Sequence, residues 1–348
     1  MSSSAIKVAI AGFGTSGRIF HAPFLAADPH YEISAIVTAS PERTGQARSE
    51  YPGARVLTSM DELWQRAPEY DLLVIGTPNS EHAAHAEAGL RAGLHVVVDK
   101  PAALSAHDVR ELIELAEQRG RVFTVFQNRR WDGDFLALRC LIERGELGAV
   151  HRFESRFEWW KPVIAPSWKG TAPRASGGGI VYDLGPHLVD QAMQLFGPVL
   201  DVHAELHRRR SGAAAEDDAF LSLLHEGGVR SHLHMSGVAA GRAPRFHVLG
   251  SKAGFTSWGL DRQEPVLLSG MRPEDAGFAT QVLADAAILE VGSEVRTLPA
   301  ARGDYGVFYA ELAKTVLDGA PPPVDPQDAA AALEVIELAF DRSPENVK

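Results

Sequence analysis

The chain has 348 residues, enough for two domains at the usual ~100–200 residues each, and with 45% hydrophobic and 23% charged residues it reads as an ordinary globular protein. A formal charge of −11 argues against nucleic acid as the main partner, since phosphate binding needs a basic face. The single cysteine, Cys140, rules out an intrachain disulfide framework; no apolar run approaches the ~18 residues of a membrane span, and Met1–Lys7 lacks a signal-peptide core, so a cytoplasmic protein without a membrane partner is the expectation.

Lys7–Ala11 is a short apolar strand that runs into Gly12–Phe13–Gly14–Thr15–Ser16–Gly17. The glycines stand at the G-x-G-x-x-G spacing, where the first permits the turn, the second lets backbone approach a pyrophosphate and the third packs helix on strand. The position, after a strand and before a helical stretch, is the context that gives this spacing meaning. Thr15 and Ser16 are placed to cap that helix, and Pro23 should leave it short or kinked between Arg18 and Ala27.

Strand patterns follow at Ile33–Val37, Leu72–Ile75, Leu94–Val98 and Val122–Phe126, with a weaker one at Arg55–Leu57. Helical patterns alternate with them at Pro41–Ser49, Asp61–Gln65, Glu81–Ala92 and Ala106–Arg119; Ser105 with Asp108 makes a capping box for the last. This alternation predicts a doubly wound, parallel-sheet domain over residues 1–127.

The end of the second strand bears on cofactor choice. An NAD site usually has an acid there for the ribose 2′-hydroxyl; this chain has Val37–Thr38–Ala39–Ser40 and then Arg43. Small hydroxyls leave room for a 2′-phosphate that an arginine can bind, a contact of roughly 1.5–3 kcal/mol, so NADP is favoured over NAD. After the fourth strand, Thr77, Pro78 and Asn79 should emerge at the same carboxyl edge as Gly12, with Ser80 as an N-cap. His82 and His85 share a helix face, but no cluster of further ligands accompanies them and no metal is expected.

The three valines before Asp99–Lys100–Pro101 read as a strand buried on both faces. Lys100 then falls at the rim of the ligand crevice, either as a solvated strand end or as a group that points charge at a substrate.

From Arg130 the rhythm changes. Trp131–Arg144 reads as one amphipathic helix, followed by β-rich stretches at His151–Trp160, Leu200–Arg208, Ala219–His225, Val229–Ser236, Arg245–Gly250 and Gly254–Trp258. Several alternate with period two, which predicts a mostly antiparallel sheet with one face covered. One helix interrupts them: Gly177–Gly178–Gly179 precedes Ile180–Asp190, on which Asp183 and His187 lie four apart on one face. A carboxylate beside a histidine is equipment for taking a proton from a hydroxyl, and equally the furniture of a helix start with a packed histidine. Helices about Tyr305–Leu317 and from Pro326 to about Phe340 close the chain, the second capped by Asp325.

Gly12-x-Gly14-x-x-Gly17, Asp99–Lys100–Pro101 and Asp183-x-x-x-His187 together resemble the Gfo/Idh/MocA family, named for glucose–fructose oxidoreductase and inositol dehydrogenase. Phe20–His21–Ala22–Pro23, Gln127–Asn128–Arg129–Arg130–Trp131–Asp132 and Tyr182–Asp183–Leu184–Gly185-x-His187 resemble a subgroup that includes NADP-dependent scyllo-inositol dehydrogenases. The resemblance implies an α/β Rossmann domain (1–127) and an α+β domain (128–348) with a large, mostly antiparallel, open-faced sheet. The last helix would be able to pack back on the first domain, and the sheet would mediate a homodimer or homotetramer. It implies Lys100, Asp183 and His187 as catalytic groups, acting between NADP(H) and a polyol, sugar or related ketone. The cofactor side would comprise Gly12, Phe13, Gly14, Thr15, Ser16, Gly17, Thr38, Ser40, Arg43, Thr77, Pro78, Asn79, His82, Asp99, Lys100 and Asn128. Substrate-side candidates are Arg129, Arg130 and Trp131, with Trp168, Lys169 and Tyr182 weaker ones; Arg130 and Trp131 could equally be packing. The chain departs from the family in having Asp99 where Glu is usual, which keeps the charge but not the reach. The alternative is a dinucleotide-sensing regulator on the same fold, which would have no need of Lys100, Asp183 and His187 together.

Overall fold

The computed structural model describes residues 5–164, 168–278, 287–299 and 301–343; the side chains of Trp168 and Lys169 lie outside the described part. The chain forms two compact units. One comprises Met1–Asn128 with Gln263–Ala279 and Asp304–Ala330, the other Arg129–Arg262 with Thr280–Gly303 and Ala331–Lys348. No helix among the described residues is long and apolar enough to cross a membrane.

The first unit is built on six strands, β1 (Ile6–Ala11), β2 (Tyr31–Val37), β3 (Arg55–Leu57), β4 (Leu72–Ile75), β5 (His95–Asp99) and β6 (Phe123–Phe126). They lie in the order β3-β2-β1-β4-β5-β6, every neighbouring pair parallel. Val96, Val97 and Val98 are fully buried, as a run without alternation requires. Each such side chain contributes roughly 1.5–3 kcal/mol over an exposed one.

Between the strands run α1 (Ala22–Ala27), α2 (Pro41–Glu50), α3 (Met60–Gln65), α4 (His82–Arg91) and α5 (Ala106–Arg119). α5 shows why: Ser105 accepts from the Asp108 N–H at 3.1 Å, Val109, Leu112, Ile113 and Ala116 bury one face, and Gly120 in the left-handed region ends it. Two capping expectations need correction. Thr15 and Ser16 make no side-chain cap; residues Ser16–His21 form a wide turn, closed by the Ala22 N–H on the Gly17 carbonyl, and Pro23, which has no N–H to donate, opens α1 immediately after it. Ser80 is not an N-cap either, because Asn79–Glu81 already form a single tight turn ahead of α4.

The second unit carries an eight-stranded sheet of β7 (Val150–Glu158), β8 (Val199–His207), β9 (Asp218–His225), β10 (Arg230–Ser236), β11 (Phe246–Gly250), β12 (Gly254–Ser257), β13 (Ala287–Val291) and β14 (Glu294–Leu298). The order is β14-β13-β12-β11-β7-β10-β9-β8; only β7 and β10 pair in parallel. Alternation decides the faces: Phe153, Ser155 and Phe157 of β7 are buried, while Arg152, Glu154, Arg156 and Glu158 line the other side. This unit also contains α6 (Gly133–Glu143), α7 (Trp168–Thr171) and α8 (Ile180–Phe196), and α8 covers the apolar faces of β7, β9 and β10.

The expected single helix from Trp131 to Arg144 is instead a tight turn, Asn128–Trp131, and then α6. The Gly133 N–H is taken by the Asp261 carboxylate at 2.8 Å, and a Cβ on Gly133 would meet the Ala301 carbonyl at 2.0 Å, so the chain must break there. Sequence patterning missed β13 and β14. Their signal is a two-residue hairpin, Gly292–Ser293, between Val291 and Glu294, with Gly292 at positive φ.

Candidate active site

Because all six strands of the first sheet run the same way, the residues that follow them emerge at one edge, and the strand order reverses between β1 and β4. Ligands of open α/β sheets bind in that crevice. The main chain confirms how closely the two loops approach there. Gly76 N donates to the Ala11 carbonyl at 2.8 Å, and a Cβ on Gly12, which has φ +91°, would lie 2.6 Å from the Gly76 oxygen. Gly17 is equally constrained, 1.9 Å from the Gly12 oxygen. Gly14 is different: nothing stands nearer to its open side than Nη1 of Arg43, at 4.0 Å. Two glycines of the fingerprint are thus needed for packing, and the middle one leaves backbone open to a ligand. Phe13 points inward, buried against the edge of Tyr51.

Thr38 is buried at the end of β2, and Ser40 caps α2 by accepting from the Arg43 N–H at 3.4 Å. Ser40 therefore starts the helix that presents Arg43. The Arg43 side chain is exposed and makes no ion pair among the described residues.

At the end of β5 the Lys100–Pro101 peptide is cis. Asp99 turns back and accepts from the Lys100 N–H at 2.8 Å. Burial alone would raise its carboxyl, but His21, Lys100, Ser16 and His82 around it hold it below the usual carboxylate range. This accounts for the short acid: an Asp at 99 reaches the adjoining N–H and this cluster. His21 is fully buried, its Nδ1 2.5 Å from the Tyr309 hydroxyl, and burial lowers its pKa to about 4 despite Asp99. His82 is also buried, with both ring nitrogens on backbone oxygens, so it supports the edge from within and has no nitrogen left for a cofactor. Thr77 and Pro78 lie at the same edge, the Thr77 hydroxyl 3.1 Å from His85 Nδ1, and Asn79 and Asn128 are buried beside the ends of β4 and β6.

In the second unit, α8 brings Asp183 and His187 one turn apart on one face, as their spacing predicts. His187 is buried, its ring edge-on to Phe157 at 6.1 Å, while Asp183 is half-buried in the first turn. The start of α8 is fixed by a residue that sequence reasoning missed. Glu216, almost fully buried, accepts from the Ile180 N–H through its carbonyl at 2.8 Å and from the Val181 N–H through its carboxylate at 3.4 Å. Arg174 donates to the same carboxylate at 3.2 Å. Burial raises the Glu216 carboxyl, with these donors opposing. A Cβ on Gly179 would lie 2.2 Å from Glu216, which is why a glycine stands there, at φ +98°.

Arg130 is held in a buried pair with Asp190, Nε at 2.9 Å and Nη2 at 2.5 Å, so its fork is committed to packing α8 and the substrate role expected of it gives way to that one. Arg129 lies over the same ring that His187 meets edge-on, 5.5 Å from the Phe157 ring centre, and Gln191 of α8 donates to its carbonyl at 2.8 Å. Trp131 is half-buried in the turn before α6. Tyr182 faces the last helix, its ring 5.1 Å from Phe340. The Trp168 side chain lies outside the described residues. Among the described residues no group of three or more His, Cys, Asp or Glu is placed to hold a metal.

Residues 6–127 match the model of an oxidoreductase family with an NAD-binding Rossmann fold, and residues 135–256 match the GFO/IDH/MocA C-terminal domain. The chain belongs to the Gfo/Idh/MocA oxidoreductase family. It is an NAD(P)-binding oxidoreductase. It is 37% identical to the uncharacterized oxidoreductase YdgJ of Escherichia coli (strain K12), over 97% of this chain and 96% of that one. It is 32% identical to the scyllo-inositol 2-dehydrogenase (NADP(+)) IolW of Bacillus subtilis (strain 168), over 98% and 94%. Among solved structures, that of yvaA from Bacillus subtilis superposes with a TM-score of 0.92 at 31% identity, covering 99% of this chain and 98% of that one.

Proposed function

We propose that this oxidoreductase is an NADP-preferring dehydrogenase or reductase acting on a CH–OH group of a cyclic polyol, a sugar or a related ketone. The observation that carries the reading is Lys100 at the same sheet edge as the open Gly14 backbone, in a chain that also bears Asp183 and His187 on one helix face. The similarity to a scyllo-inositol dehydrogenase supports the substrate class.

The residues of the first unit fit a dinucleotide. Gly14 leaves its backbone open, and the Arg43 guanidinium lies beside it with no acid paired to it among the described residues. A 2′-phosphate is the group that this arginine would bind, with Thr38 and Ser40 small enough to leave it room. When bound, the nicotinamide supplies the hydride chemistry.

The protein's own groups handle the proton. In oxidation, His187 takes the proton from the substrate hydroxyl, and Asp183 orients the imidazole and stabilises its charged form. Lys100 donates a hydrogen bond to the same oxygen and stabilises the negative charge that develops there. In reduction the roles reverse: His187 returns the proton as Lys100 polarises the carbonyl.

The experiment is an activity screen of NADP⁺ and NAD⁺ against stereoisomeric inositols and aldoses, with the corresponding ketones and NADPH in the reverse direction. Turnover with at least one polyol or sugar, faster with NADP⁺, is expected. Tight dinucleotide binding with no turnover on any member of the panel would overturn the reading in favour of a dinucleotide-sensing regulator.

A further inference from the structure

His82 occupies an unusual position for a buried histidine. It is 1% exposed, and its Nδ1 lies 2.7 Å from the Pro101 carbonyl oxygen while its Nε2 lies 2.9 Å from the Thr77 carbonyl oxygen. A carbonyl oxygen can only accept. A neutral imidazole has one N–H and one lone pair, so either tautomer would force a ring lone pair against an oxygen lone pair at one of these two distances. Only the ring with both nitrogens protonated satisfies both contacts.

We infer that His82 is a doubly protonated clamp that ties the loop after β4 to the turn after β5, and that it is a positioning residue for Lys100. The two oxygens belong to Thr77, at the head of the Thr77–Pro78–Asn79 segment, and to Pro101, the residue directly after Lys100. A single planar ring thereby fixes the spacing of two loops that border the dinucleotide crevice. Asp99 locks the same turn from the other side through the Lys100 N–H.

The other titratable groups facing the clamp are consistent with one positive charge placed here. His21, packed from the segment after β1, is pushed down to about 4 by burial and in smaller part by His82, and so stays neutral at Tyr309. His85, one turn along α4, is lowered by burial, with Glu81 opposing and His82 adding to the shift. Its Nδ1 meets a hydroxyl, the Thr77 Oγ1, which can donate or accept, so a neutral ring suffices there. Asp99 is held below the usual carboxylate range against its burial by His21, Lys100, Ser16 and His82. Of the three histidines in this region, His82 alone faces two obligate acceptors.

The test reads the ring directly. In protein labelled with ¹⁵N-histidine and ¹³C, couplings from the His82 nitrogens to the Thr77 and Pro101 carbonyl carbons assign the ring without a variant. Both nitrogens are expected to carry protons at about pH 7, because each faces a carbonyl oxygen that can only accept. One unprotonated nitrogen at about pH 7 would overturn the clamp. The kinetic consequence rests on the proposed role of Lys100 and is read separately. His82→Gln offers its amide NH₂ to one carbonyl and sets its own amide oxygen, an acceptor, against the other, so kcat should fall about 10²-fold, the scale of a misplaced catalytic group, with the KM for the polyol little changed. His82→Lys, which can donate to both oxygens and keeps the charge, should recover part of that loss. A kcat for His82→Gln within about twofold of wild type would overturn the positioning role. If Lys100→Met itself turns over normally, the role of Lys100 fails, while the nitrogen protonation still decides the clamp.

Discussion

At the carboxyl edge of the first sheet, Lys100 and its neighbours are placed by main chain: glycines that let loops touch, a carboxylate folded onto the next N–H, and a histidine held by two carbonyls. On α8 Asp183 and His187 are placed by side-chain contacts: the buried Glu216 with the exposed Arg174 at the helix start, and the buried Arg130–Asp190 pair further along. The first arrangement joins residues that follow the ends of neighbouring strands, so the sheet itself sets its geometry. The second joins residues 35 to 60 positions apart. The two regions should therefore fail differently when disturbed, the edge in turnover and the helix in stability.

The largest effect tests the edge. Lys100→Met removes the donor from the proposed substrate oxygen but leaves the Asp99 contact to the residue-100 N–H intact. Turnover should fall roughly 10²–10⁴-fold, the usual range for a proton-handling group, with dinucleotide binding and unfolding midpoint preserved. Steady-state kinetics with the best substrate of the screen measures it, and near-normal kcat would remove Lys100 from the reaction.

The next effect tests the helix. Arg130→Met leaves Asp190 buried without its bidentate partner, which should cost about 3–5 kcal/mol in chemical denaturation. Replacing both, Arg130→Met with Asp190→Leu, removes charge and counter-charge together and should recover most of that loss. Equal destabilisation by the single and the double variant would show that the pair is not what holds α8.

The same contrast explains how much could be read from the sequence. The fold of the first unit was legible because strand–helix alternation and the glycine spacing are short-range signals, and so were the positions of Lys100, Asp183 and His187. The role of Arg130 was not, because nothing near it in sequence announces Asp190. Glu216 was invisible for the same reason; its only trace is Gly179, which must lack a side chain to let the carboxylate in. His82 was legible as a residue of the edge but not in its role, since the spacing of a histidine from a strand end does not reveal that both its nitrogens face carbonyls. The paired strands β13 and β14 were missed despite a local hairpin signal at Gly292–Ser293, because Glu294–Leu298 is exposed along most of its length and shows no buried face.

The smallest effect returns to the edge and asks whether its local logic extends to the cofactor. Arg43 stands on the first turn of α2, placed there by the Ser40 cap and Pro41, and its guanidinium is the nearest group to the open side of Gly14. If that charge meets a 2′-phosphate, Arg43→Ala should weaken NADPH by on the order of 10–150-fold, the equivalent of about 1.5–3 kcal/mol, and leave NADH nearly unchanged. Fluorescence titration of both dinucleotides with both proteins measures the four affinities. Added salt should narrow the wild-type preference, because an exposed ion pair is screened. Equal affinity of the wild type for NADPH and NADH would break the assignment. A preference that survives Arg43→Ala would move the 2′-phosphate contact to the small hydroxyls of Thr38 and Ser40.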